Sequence, residues 1–265
     1  MKLPSLFGMV HLSPLPGAPR FDHEAGMEPI LAKAVADAHA LADAGFPALM
    51  IENYGDIPFF ADRVPPVTVA SLTRAVTLVQ NESGLDVGVN VLRNDAISSL
   101  GIAAATGARW IRVNVLSGLM YTDQGPISGQ AAEVLRLRKA WCPDVEILAD
   151  VFVKHATPPP GTEIGQAGLD IWERGGADAL IVSGTATGSP PDLDLARDLR
   201  VAVPDAPILV GSGATIANLA GLAKVANGAI VGSSLKKGGR PDGEIDPEVA
   251  KEFVAAARQV GWFER

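Results

Sequence analysis

The sequence has little of what marks a secreted, membrane-spanning or nucleic-acid-binding protein. Its single cysteine, Cys142, cannot form an internal disulfide, which fits a reducing compartment. No stretch approaches the roughly 18 to 20 consecutive apolar residues that span a bilayer. No block of lysine and arginine stands out, and the net charge of −8 disfavours a nucleic-acid partner. We therefore expect a cytoplasmic protein whose membrane association, if any, is peripheral.

What the sequence contains is a regular alternation. Hydrophobic residues make up 48% of its 265 residues, and short apolar runs alternate with segments of helical period, which predicts strands each followed by a helix. The predicted strands are Leu6–Leu12, Ala48–Asn53, Asp86–Leu92, Trp110–Leu116, Glu146–Val153, Ala179–Ser183, Pro207–Val210 and Gly228–Val231. The predicted helices are Pro29–Ala44, Val67–Ser83, Asp95–Thr106, Ser128–Ala140, Glu163–Arg174, Leu193–Ala202, Ile216–Lys224 and Pro247–Val260.

This count predicts the α/β class and a (β/α)8 TIM barrel that forms a single domain over residues 1–265. Glycines between a helix and the next strand, such as Gly45 and Gly107, support the count because helices commonly end at glycine. An open, doubly wound sheet would show the same alternation. It is disfavoured because no GxGxxG turn follows the first predicted strand, and because phosphate-type turns follow the last two.

Those two turns are Gly211-Ser212-Gly213 and Gly232-Ser233-Ser234. Glycine lets the backbone approach an anion, and a following helix supplies unpaired N–H groups and a partial positive charge. The last two strands of a TIM barrel carry a phosphate site at this position. Either turn alone also fits an ordinary strand-to-helix connection. The predicted phosphate-binding residues are Gly211, Ser212, Gly213, Ala214, Gly232, Ser233 and Ser234.

Polar side chains gather at the predicted carboxyl ends of the other strands, where TIM barrels hold their active sites. Glu52 is a candidate general base or metal ligand, Lys154 a candidate Schiff-base amine or electrostatic clamp, and His11 a candidate proton shuttle. The predicted catalytic residues are Glu52, Lys154, His11, Asp150 and Asn114. The predicted substrate-binding residues are Asn53, Asn90, Arg93, Asn94, Arg112, Asp123, His155, Ser183 and Thr185.

Several of these residues also have a purely structural interpretation. Alternate residues of a strand share a face, so Arg112 and Asp150 on neighbouring strands could form a buried ion pair that serves only as scaffold. Lys154 could pair with Glu52 or Asp150, and Asp123 could shape its turn. The sequence requires no cofactor. A divalent cation such as Mg²⁺ could bind among the carboxylates and histidines, although they lack a compact ligand spacing.

These polar residues lie within longer motifs that follow one another along the chain. The motifs are Gly8-Met9-Val10-His11-Leu12 followed by Pro14-Leu15-Pro16-Gly17, Ile51-Glu52-Asn53-Tyr54-Gly55-Asp56, Asn90-Val91-Leu92-Arg93-Asn94-Asp95, Ile111-Arg112-Val113-Asn114-Val115, Thr122-Asp123-Gln124-Gly125, Ala149-Asp150-Val151 with Val153-Lys154-His155-Ala156, Ser183-Gly184-Thr185-Ala186-Thr187-Gly188, Gly211-Ser212-Gly213 and Val231-Gly232-Ser233-Ser234-Leu235-Lys236. From about Leu6 to Lys237 they resemble the motifs of the BtpA/SgcQ family. The resemblance implies a barrel of the ribulose-phosphate-binding type. It also implies a link, in cyanobacteria, to building or stabilising photosystem I.

Two classes of function follow. The polar residues favour an enzyme that acts on a phosphorylated sugar or a similar small phosphate ester by isomerisation, epimerisation or retro-aldol cleavage. The resemblance adds a non-catalytic assembly factor for a membrane complex such as photosystem I, and a phosphometabolite sensor is a third option. We also expect a homo-oligomer. Phe59-Phe60 and Trp262-Phe263 are its candidate contacts, unless they pack within the chain.

Overall fold

Eight parallel strands close into a barrel in this computed structural model, which describes residues 3–184 and 192–263. The strands of these ranges are β1 (Leu6–His11), β2 (Ala48–Glu52), β3 (Asp86–Asn90), β4 (Trp110–Val113), β5 (Leu119–Thr122), β6 (Gly125–Ser128), β7 (Glu146–Val151), β8 (Ala156–Thr157), β9 (Ala179–Val182), β10 (Ile208–Val210) and β11 (Gly228–Val231). The barrel order is β1-β2-β3-β4-β7-β9-β10-β11, and β11 pairs with β1. The predicted (β/α)8 barrel is confirmed.

Helices surround the barrel. They are α1 (Glu28–Ala44), α2 (Pro66–Ser83), α3 (Ala96–Thr106), α4 (Ala131–Trp141), α5 (Ile164–Leu169), α6 (Leu193–Ala202), α7 (Leu219–Leu222) and α8 (Pro247–Gln259). A π-helical turn, Asp170–Arg174, continues α5, and a 3-10 turn, Ile216–Asn218, precedes α7. None of the helices in the described ranges has both the length and the apolar character needed to span a bilayer.

Alternation along the strands divides the core into two parts. Side chains that face the barrel interior, such as Phe7, Met50 and Trp110, form one apolar cluster, whereas those facing outward pack against the helices. The ring of Trp110 meets that of Phe7 edge to face at a centroid distance of 5.0 Å. By the same alternation, His11 on β1 and Glu52 on β2 also face the barrel interior. The interior is therefore apolar along most of its length and polar at the carboxyl ends of the strands.

A small antiparallel sheet lies at this carboxyl end, where the sequence predicts only loops. Strand β5 pairs with β6 and with β8. The pairing of β5 with β8 joins the segment that follows β4 to the segment that follows β7. The buried side chains of Met120 and Ile127 form a separate apolar cluster with Val115 and Val153. Burial of this cluster explains why the segment around Thr122–Gly125 forms a hairpin. The sheet becomes one wall of the barrel mouth.

The two pairs of aromatic residues suggested for oligomer contacts differ in exposure. Phe60 is 54% exposed, as a contact residue would be. Trp262 is only 1% exposed and belongs to the main core, and Phe263 packs beneath the guanidinium of Arg258. The suggestion that Trp262 offers an outer contact is therefore wrong, because its ring is used to bury surface within the chain.

Candidate functional site

Three adjacent strands carry a polar row at the carboxyl end of the barrel. His11 is the register partner of Glu52, and Glu52 is that of Asn90. Asn90 Nδ2 donates to Glu52 Oε2 over 2.6 Å. The other oxygen, Oε1, lies 3.8 Å from His11 Nε2 and has no hydrogen-bond partner among the described residues. Because buried polar atoms are rarely left unpaired, Glu52 Oε1 stands out as an acceptor that the described residues leave unsatisfied.

His11 is held as a neutral ring. Its Nδ1 lies 2.9 Å from Pro241 O, and because a carbonyl oxygen only accepts, we assign the proton to Nδ1 and the lone pair to Nε2. Burial, and then the nearby charges of Lys236 and Lys154, lower the pKa of His11 well below its ordinary value. His11 Nε2 and Glu52 Oε1 are therefore two acceptors that face each other. A ligand hydroxyl within hydrogen-bond reach of both could give its proton to either one.

The ion pair expected from strand parity is confirmed. Arg112 Nε and Nη2 each donate to the carboxylate of Asp150 over 2.9 Å. Asn114 Nδ2 and Ser183 Oγ also donate to Asp150, over 2.8 and 3.3 Å. Arg112 Nη1 and Asn114 Oδ1 are buried without a hydrogen-bond partner in the described part of the chain. This network thus leaves one donor and one acceptor without a partner among the described residues, which a purely structural ion pair does not require.

Lys154 lies in the mouth just beyond β7. Burial lowers its pKa below the ordinary value, and the charge of Glu52 partly offsets that effect. Its backbone oxygen accepts from Arg93 Nη2 over 2.5 Å, which fixes the segment. Within residues 3–184 and 192–263, the Lys154 ammonium makes no ion pair with Glu52 or Asp150. The suggested pairing is thus not a direct contact, although the charges of Glu52 and Asp150 still act to raise the pKa of the amine.

Two glycines make room beside these side chains. A Cβ at Gly211 would lie 2.7 Å from Ser183 Oγ and 2.9 Å from Arg112 Nη2. A Cβ at Gly232 would lie 2.9 Å from His11 Cε1. Both turns line one cavity of about 200 Å³, together with His11, Arg112 and Lys154. The glycines are required here because any side chain would fill the space between the turns and the polar groups.

The two turns present backbone donors to this cavity. The N–H groups of Gly213, Ala214, Ser233 and Ser234 have no acceptor among the described residues. Ser234 Oγ donates to Ala214 O over 2.7 Å and so ties one turn to the other. Ser212 also lines the cavity and is buried. Four unpaired N–H groups on adjacent turns form a concave donor surface suited to an anion.

Other predicted site residues bond the protein itself. Asn53 Oδ1 accepts from Leu92 N over 2.7 Å, and its Nδ2 donates to Asp56. Asn94 forms two bonds with the backbone of Val115, at 2.8 and 3.0 Å. Each asparagine thus joins the end of one strand to the loop after the next. This use of both amide groups leaves them to shape the mouth.

The remaining predicted residues lie at the rim or beyond the description. Asp123 is exposed at the hairpin tip, where Gln124 Nε2 donates to it over 2.6 Å. His155 is exposed beside Lys154, and burial followed by the Lys154 charge lowers its pKa. Thr185 lies outside the described residues. In the described ranges no three His, Cys, Asp or Glu side chains are grouped to share a metal ion, and a magnesium requirement stays a prediction.

One buried lysine was not identified from the sequence. Residues 236–245, here named the strap, begin and end in an antiparallel bridge between Lys236 and Ile245. Lys236 Nζ donates to Pro241 O over 2.8 Å and lies 3.7 Å from Asp37 Oδ2. Asp37 Oδ1 accepts from Ile245 N over 3.1 Å. Lys236 and His11 therefore share the Pro241 carbonyl, so the strap orients the histidine.

A signal for this contact exists in the sequence. Asp37 is a lone carboxylate on the apolar face of α1 that also carries Ala34, Ala38 and Leu41. A charge at such a position needs a buried partner, since an unpaired one would be strongly unfavourable. Lys33, four residues earlier on α1, supplies one cation, with its Nζ 2.9 Å from Asp37 Oδ2, and this spacing is visible in the sequence. The sequence does not identify Lys236 as the second cation, because the strap returns to α1 from far along the chain.

Comparison with known proteins agrees with this architecture. The sequence profile of the BtpA family matches residues 2–259. The chain is 45% identical to the photosystem I biogenesis protein BtpA of Synechocystis sp. over 251 residues, which cover 95% of this chain and 87% of that protein. It is 28% identical to the sgc region protein SgcQ of Escherichia coli over 257 residues, covering 97% and 95%. A structure of N-(5'-phosphoribosyl)anthranilate isomerase from Pyrococcus furiosus superposes with a TM-score of 0.60 at 16% identity, covering 97% of this chain and 100% of that one, and so shares the fold. The chain therefore belongs to the BtpA family.

Proposed function

We propose that this protein is an enzyme that binds a phosphorylated sugar or a similar small phosphate ester and catalyses isomerisation, epimerisation or retro-aldol cleavage. One observation carries the proposal. Four unpaired backbone N–H groups, from Gly213, Ala214, Ser233 and Ser234, line a cavity that also holds His11, Arg112 and Lys154. The backbone donors, which suit an anion, and the side chains of His11 and Lys154 therefore line the same cavity, whose volume is about 200 Å³.

The two sides of the cavity have different roles, phosphate binding on one side and proton transfer on the other. Phosphate held on the turns supplies binding energy that places the reacting carbons over the polar row. Glu52 Oε1 or His11 Nε2, 3.8 Å apart, removes a proton next to a carbonyl group. The cations of Lys154 and Arg112 stabilise the enolate oxygen that forms. In retro-aldol chemistry the lowered pKa of Lys154 favours the neutral amine, which can add to a carbonyl carbon to give a carbinolamine that loses water to form a Schiff base.

The proposal is tested with a thermal-shift screen of sugar phosphates and inorganic phosphate, with and without Mg²⁺. A ligand at about 100 times its dissociation constant adds roughly 2.7 kcal/mol, or a Tm increase of roughly 5 to 10 °C. Gly232→Val should abolish the shift, because its side chain would occupy the space beside His11. Gly101→Val is the matched control, since a Cβ there meets no atom within 4 Å. Retained phosphate affinity in Gly232→Val, or no shift with any ligand, would contradict the proposal.

A second function is supported by the name of the Synechocystis relative, a photosystem I biogenesis protein. A non-catalytic assembly or stability factor would need a partner-binding surface on the outside of the barrel. It would not require the amine of Lys154. Lys154→Met would then leave function intact, whereas an enzyme loses turnover with its phosphate affinity retained. A phosphometabolite sensor would also retain affinity, but it has no turnover to lose, so product formation by the wild type separates those two.

Association of like chains belongs to the same proposal. Exposed Phe60, beside Phe59 in the segment between β2 and α2, is its candidate contact. An exposed apolar ring of this kind is a favourable group to bury when two copies associate. Light scattering of the wild type and of Phe60→Ser measures whether the mass of the particle depends on this side chain.

A further inference from the structure

The backbone on both sides of Lys154 adopts a conformation that side chains disfavour. Phe152 has a φ angle of 57° and His155 has one of 56°, and among the described residues no other residue except glycine has a positive φ. This left-handed region crowds the Cβ atom against the backbone, so residues other than glycine seldom occupy it. Strain of this kind persists only where the surrounding structure holds it, and it is common at functional sites. The segment from Phe152 to His155 therefore needs contacts from elsewhere in the fold to keep its shape.

Packing and strand pairing hold the residues next to Lys154. Val153 is buried in the apolar cluster of the small sheet, together with Met120. Ala156 begins β8 and pairs with Thr122 on β5. Neither of these contacts involves Lys154, which instead lines the cavity beside the glycine turns. The backbone of Lys154 itself is fixed by a different contact.

That contact comes from Arg93. Arg93 lies in the segment after β3, Lys154 follows β7, and β4 lies between these two strands of the barrel. Arg93 Nη2 donates to Lys154 O over 2.5 Å, so its side chain spans the carboxyl end of β4 to reach this acceptor. Arg93 is only 4% exposed, and its own backbone N donates to Phe60 O over 3.1 Å. The guanidinium thus joins the segments that follow two strands that do not pair with each other.

The hydrogen bond to Lys154 O does not require a positive charge. A carbonyl oxygen also accepts from a neutral N–H group, and a buried cation without an ion pair is unfavourable. In the part of the chain that the structure describes, Arg93 makes no ion pair, and burial is the main cause that lowers its pKa. The charge therefore has a use other than holding the backbone. Burial lowers the pKa of the neighbouring Lys154 first, and the charges of Arg112 and Arg93 lower it further.

We propose that Arg93 is a positioning residue for Lys154, which holds the strained backbone so that the amine lies in the cavity where the phosphate ester reacts. Its charge also disfavours protonation of that amine, as a neighbouring cation does for other lysine nucleophiles. This step rests on the proposed function, because it assigns Arg93 to placing a reacting group instead of to binding the substrate. The other charged or titratable groups that act on Lys154 or respond to its charge are Glu52 on β2, Arg112 on β4, Asp150 on β7, the neutral His11 on β1 and the exposed His155 beside it.

The test compares Arg93→Met, which removes both the charge and the donor, with Arg93→Lys, which retains both. Selective ¹³C labelling of lysine lets NMR follow the Cε shift of each lysine against pH, and Lys154→Met assigns the resonance. In Arg93→Met the titration of Lys154 should shift upward, because Glu52 and Asp150 then act on the ammonium without this opposing cation. Arg93→Lys should restore the wild-type midpoint. Arg63→Met, at an exposed position between β2 and α2, should leave it unchanged.

Amide hydrogen exchange measures the effect on the backbone. The segment from Phe152 to Ala156 should exchange about fivefold faster or more in Arg93→Met, because a hydrogen bond that holds it is lost. An unchanged titration of Lys154 or an unchanged exchange of this segment would overturn the positioning role. If Arg93→Met does not fold, Arg93→Gln removes the same charge and is judged by the titration alone.

Inorganic phosphate separates this inference from the proposed function. Its affinity should fall by less than about fivefold in Arg93→Met, because β3 lies opposite β10 and its glycine turn in the barrel order. A larger fall would show that Arg93 binds the substrate and would overturn the positioning role. No phosphate binding by the wild type would contradict the phosphate-ester enzyme, whereas the titration and exchange results for Arg93 would still stand.

Discussion

At the scale of single residues, the site depends on how the charge of Arg112 is neutralised. Its side chain is 1% exposed, and Asp150 is the carboxylate that it contacts in the described structure. Asp150→Asn keeps the shape but removes the counter-charge, which should lower the free energy of unfolding by about 3 to 5 kcal/mol. Urea denaturation measures this change.

Asp123→Asn provides the matched control for that substitution. Asp123 is exposed at the hairpin tip, and the same change there should alter the free energy of unfolding by no more than about 0.5 kcal/mol. If Asp150→Asn were as mild as Asp123→Asn, the buried guanidinium would have another neutralising partner, and the ion pair would not organise the mouth.

The sequence predicted side-chain contacts correctly where the alternation within single strands determines which face a side chain occupies. Parity along β4 and β7 sufficed to bring Arg112 to Asp150, because alternation belongs to each strand alone. It could not foresee that Asn53 and Asn94 bond the backbone of neighbouring loops. Those contacts depend on how the chain turns after each strand ends, which no periodicity encodes.

At the scale of elements, the strap is the segment whose behaviour should depend on pH. Burial lowers the pKa of Lys236 from 10.5 to about 8. Below that value the lysine is charged in both states, and its burial disfavours the fold. Between about 8 and 10.5 the unfolded chain binds more protons than the folded one, so this group makes stability rise with pH. The limiting slope is about 1.4 kcal/mol per pH unit.

Lys236→Met removes this titration. The free energy of unfolding of the wild type, minus that of the variant, should therefore increase between pH 7.5 and 9.5 when urea curves are compared. Lys251→Met, at an exposed position on α8, should show no such trend. Parallel pH curves for the wild type and Lys236→Met would mean that Lys236 keeps an ordinary proton affinity in the strap.

The bounds of helices and strands were predicted well where the periodicity of apolar residues ends at a glycine. Strand β11 and helix α6 have the predicted bounds, and most other strands end one to three residues sooner because the polar mouth interrupts pairing. The seventh helix was predicted as continuous over Ile216–Lys224. It divides into a 3-10 turn and the short α7, since the Asn218 side chain bonds back to Gly213 O and Thr215 N. Such competition by a side chain is local chemistry that hydrophobic period does not report.

At the scale of the whole molecule, barrel closure was predictable because eight alternating units leave few other arrangements. The number of strands and the doubled glycine turn together favoured a closed barrel over an open sheet. The small sheet over the mouth was not predictable in the same way. Its strand β8 has only two residues, and its pairing with β5 joins segments that lie after different barrel strands.

The stability of the whole barrel offers a way to distinguish a working site from scaffold. Lys154 is disfavoured by burial and makes no ion pair in the described part of the chain, so its charge opposes folding. Lys154→Met should leave the Tm unchanged or raise it by roughly 1 to 3 °C, as happens when a residue kept for function is replaced. Lys139→Met, an exposed site on α4, should leave it within about 1 °C. Differential scanning calorimetry measures both. A fall of several degrees in Lys154→Met would show that the amine stabilises the mouth through Glu52 and Asp150, and its role would then be structural rather than catalytic.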